Sequence, residues 1–162
     1  MRLLVNIDVD DLDRAVRFYT EALGLRLERR LFDGSVAEMG GASATLYLLQ
    51  KGAGTPPHEG ATSVRDYRRH WTPVHLDFQV ADLDHAVEQA LSAGAALEGG
   101  ILSFVWGRQA TLADPFGNGF CLLEFAGDGY DAVVREAAPV IGGADASHAR
   151  GVRRENPPPK SG

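Results

Sequence analysis

Two stretches of the chain alternate apolar and polar residues with period two. Val5, Ile7 and Val9 interleave with Asn6 and Asp8, and further along Leu76, Phe78 and Val80 interleave with Asp77 and Gln79. Such alternation marks a strand with one oily face and one polar face. Each stretch is followed by a change of period. After Asp11, a helix-capping residue, Leu12, Ala15, Val16, Tyr19 and Leu23 keep the three-and-four spacing of an amphipathic helix that Gly24 can stop; after Asp82, Leu83, Ala86, Val87 and Ala90 do the same before Gly94. AspLeuAspArgAlaVal at 11–16 returns as AspLeuAspHisAlaVal at 82–87, so the chain carries an internal duplication.

Each helix is followed by residues that read as three more strands. They fall near 25–32, 35–39 and 45–49 in the first copy, and near 96–102, 109–113 and 120–125 in the second. GlyGly at 40–41 supplies one turn, and AspProPheGlyAsnGly at 114–119 supplies the turn chemistry before the last strand. The expected organisation is one α+β domain over residues 1–126, with unit one at 1–50, a Gly- and Pro-rich linker at 51–72 holding a helical turn near Ser63–Arg69, and unit two at 73–126. A short helix is expected within 127–138, around Tyr130–Ala137, followed by a flexible tail at 139–162 that ends in AsnProProProLys and lacks the apolar content to order itself.

Composition narrows the function classes. The formal net charge is −6, and no extended basic face is evident; Arg65, Arg68 and Arg69 lie beside Asp66 in the linker and read as a solvated loop or an anion contact, the solvated loop being favoured, so nucleic acid is not an expected partner. No apolar run approaches the ~20 residues of a membrane span, and MetArgLeuLeuValAsnIleAspVal at the start has neither the basic flank nor the cleavage site of a signal peptide. A cytoplasmic location is expected, with no membrane partner. The lone Cys121 excludes a disulfide within one chain.

If both helices cover the oily faces, then Asn6, Asp8, His75, Asp77 and Gln79 face the other way, into one shared cavity. His75 is the best catalytic candidate, as base, metal ligand or hydrogen-bond partner; a His bonded within a strand pair is the plainer reading. Trp106 with Arg108 forms a candidate platform for a planar or anionic ligand, or else closes one end of the core. Cys121 is a thiol able to bind zinc or act as a nucleophile, or a buried residue. No nucleophile elbow, phosphate-cradling Gly-rich loop or zinc-type Cys/His spacing is present.

The repeated strand, the AspLeuAsp helix start and the AspProPheGlyAsnGlyPheCys hairpin together resemble the vicinal oxygen chelate superfamily, which includes glyoxalase I, extradiol dioxygenases and bleomycin and fosfomycin resistance proteins. The resemblance covers about residues 3–125. It implies tandem βαβββ units forming curved mixed sheets around a central cleft, the glyoxalase/bleomycin resistance fold. It also implies four metal-ligand positions, which fall here on Leu4, Tyr47, His75 and Cys121. Leu4 has no donor and Tyr47 is a poor one, so no metal and no other cofactor is expected, a divalent ion at His75 with Asp77 and Asp8 being the minority reading. Tyr47 is equally a candidate to hydrogen-bond a ligand. The expected function is metal-independent small-molecule binding by a homodimer, sequestering an antibiotic or other toxic ligand. The alternatives are a glyoxalase-like lyase or isomerase, or a dioxygenase, working through His75, and a regulatory or scaffolding domain with a filled cleft.

Overall fold

The computed structural model describes residues 1–134. Unit one runs β1 (Leu4–Val9), α1 (Leu12–Leu23), β2 (Arg26–Leu31), β3 (Val36–Gly40) and β4 (Thr45–Gln50). Unit two runs β5 (Leu76–Gln79), α2 (Leu83–Ser92), β6 (Ala96–Leu97), β7 (Leu102–Phe104), β8 (Gly107–Ala113) and β9 (Gly119–Phe125). The sheets are ordered β1-β4-β3-β2 and β5-β9-β8-β6, with β7 also on β8. In each, the first strand lies parallel to the last and the other pairs are antiparallel. The fold is therefore the expected duplicated α+β arrangement with mixed sheets.

Local chemistry sets the helix bounds. The Asp11 carboxylate accepts from the Arg14 N–H and that of Asp82 from the His85 N–H, each capping a first turn. Gly24 takes the left-handed conformation at φ 66° and ends α1. Leu12, Ala15, Phe18, Tyr19 and Ala22 of α1, and Leu83, Val87 and Ala90 of α2, are buried. α1 packs on β3 and β4, α2 on β8 and β9, and the helices on each other. One apolar cluster consequently spans both units, from Val9, Met39 and Leu48 to Leu112, Phe116 and Leu122.

Three expectations need correction. The strand expected at 96–102 is broken into β6 and β7, because Gly99 turns the chain at φ 80°. No helical turn forms at Ser63–Arg69; these residues run as an irregular strap that starts where Gly54 and Arg65, and Arg65 and Thr55, share backbone hydrogen bonds. The helix expected around Tyr130–Ala137 is a single 3-10 turn at Gly129–Val133; its last residues and the tail at 139–162 lie outside the described residues.

Candidate functional site

A cavity of about 1010 Å³ opens where β1 and β5, the end strands of the two sheets, approach each other. Its walls combine the first strands of both units with Tyr19 of α1, the strap at 64–72, and Asn118, Gly119 and Phe120 at the head of β9.

Long-range bonds hold the strap in place. The Arg65 Nε donates to Asp8 Oδ2 at 2.6 Å and its Nη1 to Pro56 O at 2.6 Å, joining the strap to β1. The Arg69 guanidinium is paired in a two-bond fork with Glu98 and also donates to Gly117 O at 3.2 Å, while the His70 N–H donates to the same carbonyl at 3.0 Å. Two glycines admit this approach. A Cβ on Gly117, whose φ is 89°, would lie 2.4 Å from Arg68 O, and one on Gly119 would lie 2.1 Å from the Trp71 ring. Trp71 in turn lies against His75 with centroids 4.9 Å apart and the ring planes tilted by 34°, and the Arg69 guanidinium lies 5.5 Å above the Trp71 ring.

The hairpin beneath the strap is organised by Asp114, a buried charged residue. Its carboxylate accepts from Phe116 N, Asn118 N, Asn118 Nδ2 and the Tyr19 hydroxyl, the last at 2.8 Å. Burial first, and the Asp114 charge second, hold the Tyr19 hydroxyl well above its usual pKa, so it stays a donor.

On the face of unit two turned away from α2, His75, Asp77 and Cys121 bring three donor atoms within 4.8 Å of one another. His75 Nε2 is 3.3 Å from Asp77 Oδ1, and the Cys121 sulfur accepts from Gln109 Nε2 at 3.4 Å. Burial, reinforced by the Asp77 charge, pushes the Cys121 thiol up. The four-position metal set of the superfamily does not fit these residues. Leu4 is an exposed hydrocarbon, and Tyr47, a phenol set on β4 between Asn6 of β1 and Glu38 of β3, is a poor metal donor.

Asn6, Asp8 and His75 line the large cavity, but the five polar residues do not share it. Asp77 and Gln79 border a separate hollow of about 460 Å³ beside the end of α1. Two residues along a strand advance the chain by roughly 7 Å, which carries Asp77 beyond the strap. Trp106 and Arg108 are already engaged. Trp106 stacks on Phe104 at 4.9 Å and packs against Phe125 and Tyr130, closing one end of the unit. Arg108 pairs with Asp84 at 2.7 Å and lies 3.7 Å from Glu124, whose carboxylate accepts from the Leu83 N–H and so helps cap α2. Tyr47, Trp106, Arg108 and Cys121 are outside the wall of the large cavity. Sequence reasoning misses Tyr19 and Asn118 as wall residues and favours a solvated loop over an anion contact for Arg65 and Arg69; only 14% of the Arg65 side chain is exposed. The signal available for the strap was the cluster of Arg65, Arg68, Arg69, His70 and Trp71 just before β5.

A family model described as a glyoxalase-like domain matches residues 4–123. Among solved structures, the chain is similar to TnmS3, an antibiotic binding protein from Streptomyces sp. CB03234, at 25% identity and a TM-score of 0.56 over 78% of this chain and 96% of that one. It is similar to the fosfomycin resistance protein FosX from Listeria monocytogenes at 15% identity and a TM-score of 0.59, over 78% and 93%. It is also similar to a glyoxalase-related enzyme from Fulvimarina pelagi at 17% identity and a TM-score of 0.57, over 76% and 87%. No curated protein matches the sequence.

Proposed function

We propose, for a chain that belongs to the glyoxalase-like domain family and hence to the vicinal oxygen chelate superfamily, metal-independent binding of a small molecule, with sequestration of an antibiotic or other toxic compound as its purpose. The observation that carries this reading is the open cavity of about 1010 Å³ between β1 and β5, of drug-binding size and lined by both apolar side chains and a few polar ones. A scaffolding domain would have filled it. TnmS3, an antibiotic binding protein by name, supports the small-molecule binding in this reading, and FosX, a resistance protein by name, supports an antibiotic as the ligand class.

Binding is tested with Nile red, an uncharged apolar dye whose emission rises in a dry site. The protein is expected to bind it, and Val74→Trp, which enlarges an exposed side chain at the cavity wall, is expected to block it. No enhancement, or equal enhancement in both proteins, contradicts the proposal.

The gathering of His75, Asp77 and Cys121 favours a second reading, an enzyme with a zinc-type centre or with His75 as a base held by Asp77. Elemental analysis of protein purified without chelators or metal columns separates the two. Less than about 0.1 ion per chain is expected on the binding reading, whereas about one ion, lost in Cys121→Ala, establishes the second. We also propose a cytoplasmic homodimer in which a second copy covers exposed apolar side chains outside the cavity, Leu102, Phe104 and Val105 on and after β7 and Tyr130, which reaches Phe104 through Trp106. Sedimentation at micromolar concentration checks it, with a monomer as the refuting result.

A further inference from the structure

Side chains on a strand alternate faces, so a cavity lying over one face is lined by every second residue. The large cavity is lined instead by four consecutive residues of β1, Val5, Asn6, Ile7 and Asp8, whereas within β5 it touches the alternate residues Leu76 and Phe78. It therefore meets β1 edge-on and β5 on one face. Among the described residues the only strand partner of β1 is β4, which leaves its other edge, toward the cavity, without a strand partner. On such an edge every second residue directs its backbone N–H and C=O outward. Burial agrees with this placement. Val5 and Ile7 are only partly buried although they belong to the oily face, whereas Val9, past the cavity, is fully buried.

Each charged arginine and aspartate of the wall already has partners. Arg65 is bound to Asp8, Arg68 to Asp66 and Arg69 to Glu98, and Asp114 is saturated by hydrogen bonds from the protein. The three arginines and three aspartates of the wall cancel. No guanidinium or carboxylate of the wall therefore stands without a partner of its own, and a charged ligand meets no unpaired counter-charge among them. The Asn6 amide, by contrast, has no hydrogen-bond partner among the described residues and stands beside the open edge. Ile7, Leu76, Phe78, Phe120, Val64 and Val74 supply the apolar part of the wall.

We infer, on the reading that this cavity takes a small molecule, that its ligand is an uncharged, extended molecule bearing peptide-like amides, which adds to the free edge of β1 as a short extra strand. Strand addition of this kind draws affinity from backbone hydrogen bonds and selectivity from alternate side chains.

The test uses acetyl-Val-Ala-Val-N-methylamide and two isomers in which one or the other alternate set of amide nitrogens carries a methyl group. Only one set can face β1, so methylation of that set is expected to weaken binding by about tenfold, the worth of one to two net hydrogen bonds, while the other isomer binds like the parent. By hydrogen exchange, alternate amides among residues 5–8 should gain protection when the parent peptide is added. Three results overturn the inference: no peptide binding, equal binding of both isomers, or edge amides already protected in the free protein in proportion to its concentration, which would place a second copy there. If Nile red binds while the peptide fails, the binding function stands and only the ligand class falls. If neither binds, both fall.

Discussion

Asp114 and Tyr19 show how one residue pair can tie two units together. The carboxylate is buried and takes three bonds within its own turn, but the fourth comes from α1 of the other unit. Removing that donor leaves a lone pair of a buried carboxylate without a partner. Tyr19→Phe is therefore expected to cost about 1–3 kcal/mol, measured by urea unfolding at neutral pH. The pH dependence carries a sign. A hydroxyl whose pKa is raised in the folded state stabilises the fold fully below its unfolded value of about 10, and that contribution is lost as pH rises through the folded value. The gap between the wild type and Tyr19→Phe should therefore narrow in alkali. Cys121 follows the same rule, with burial and the nearby Asp77 charge keeping it a thiol. Its reaction with a disulfide reagent at pH 7.5 is expected to be slow and to speed up only on unfolding. Fast reaction of the native protein would reveal a thiolate and strengthen the zinc or nucleophile reading.

At the scale of elements, the strap works because two glycines of the β8–β9 hairpin give it room. Gly119→Ala places a methyl group where the Trp71 ring now lies, with no left-handed backbone involved, so the ring must move while the hairpin persists. Acrylamide quenching of tryptophan emission should rise in that variant with circular dichroism unchanged. Unchanged quenching would mean that Trp71 does not rest on the hairpin. Gly117→Ala adds backbone strain to a collision with a carbonyl and is expected to destabilise by about 1–3 kcal/mol. These elements also mark what the sequence makes legible. The two amphipathic helices, their Asp caps and the alternating first strands follow from local periods of 3.6 and 2, and each forms where its pattern lies. The strap has no period. Arg65 meets a residue 57 positions away and Arg69 one 29 away, so the local cluster of arginines and aromatics marks the segment without revealing which distant residues it latches onto. The assignment of Asn6, Asp8, His75, Asp77 and Gln79 to one cavity went too far for a related reason. Alternation tells which face a side chain takes but not where along the strand a wall from elsewhere in the chain stops.

Taken as a whole molecule, the duplication has not produced two independent halves. The helices pack on each other, Phe18 of α1 meets Phe120 of β9 edge to face with centroids 6.4 Å apart, and a single apolar cluster runs from one sheet to the other. Each unit alone would leave one side of its helix uncovered, and a unit of this size buries too little to be stable without its partner. Unfolding should therefore be one cooperative event. Both tryptophans, Trp71 and Trp106, lie in the strap and unit two, which makes the claim testable from unit one. Leu48 is fully buried in β4, and Leu48→Ala is expected to cost about 2–5 kcal/mol through lost burial and the cavity left behind. If the units unfold together, this substitution lowers the urea midpoint of the tryptophan signal as far as that of the far-ultraviolet signal, although no tryptophan lies in unit one. A tryptophan transition that stays at the wild-type midpoint while the far-ultraviolet transition splits would show that the units unfold separately. The cavity between β1 and β5 would then be walled by two bodies free to separate.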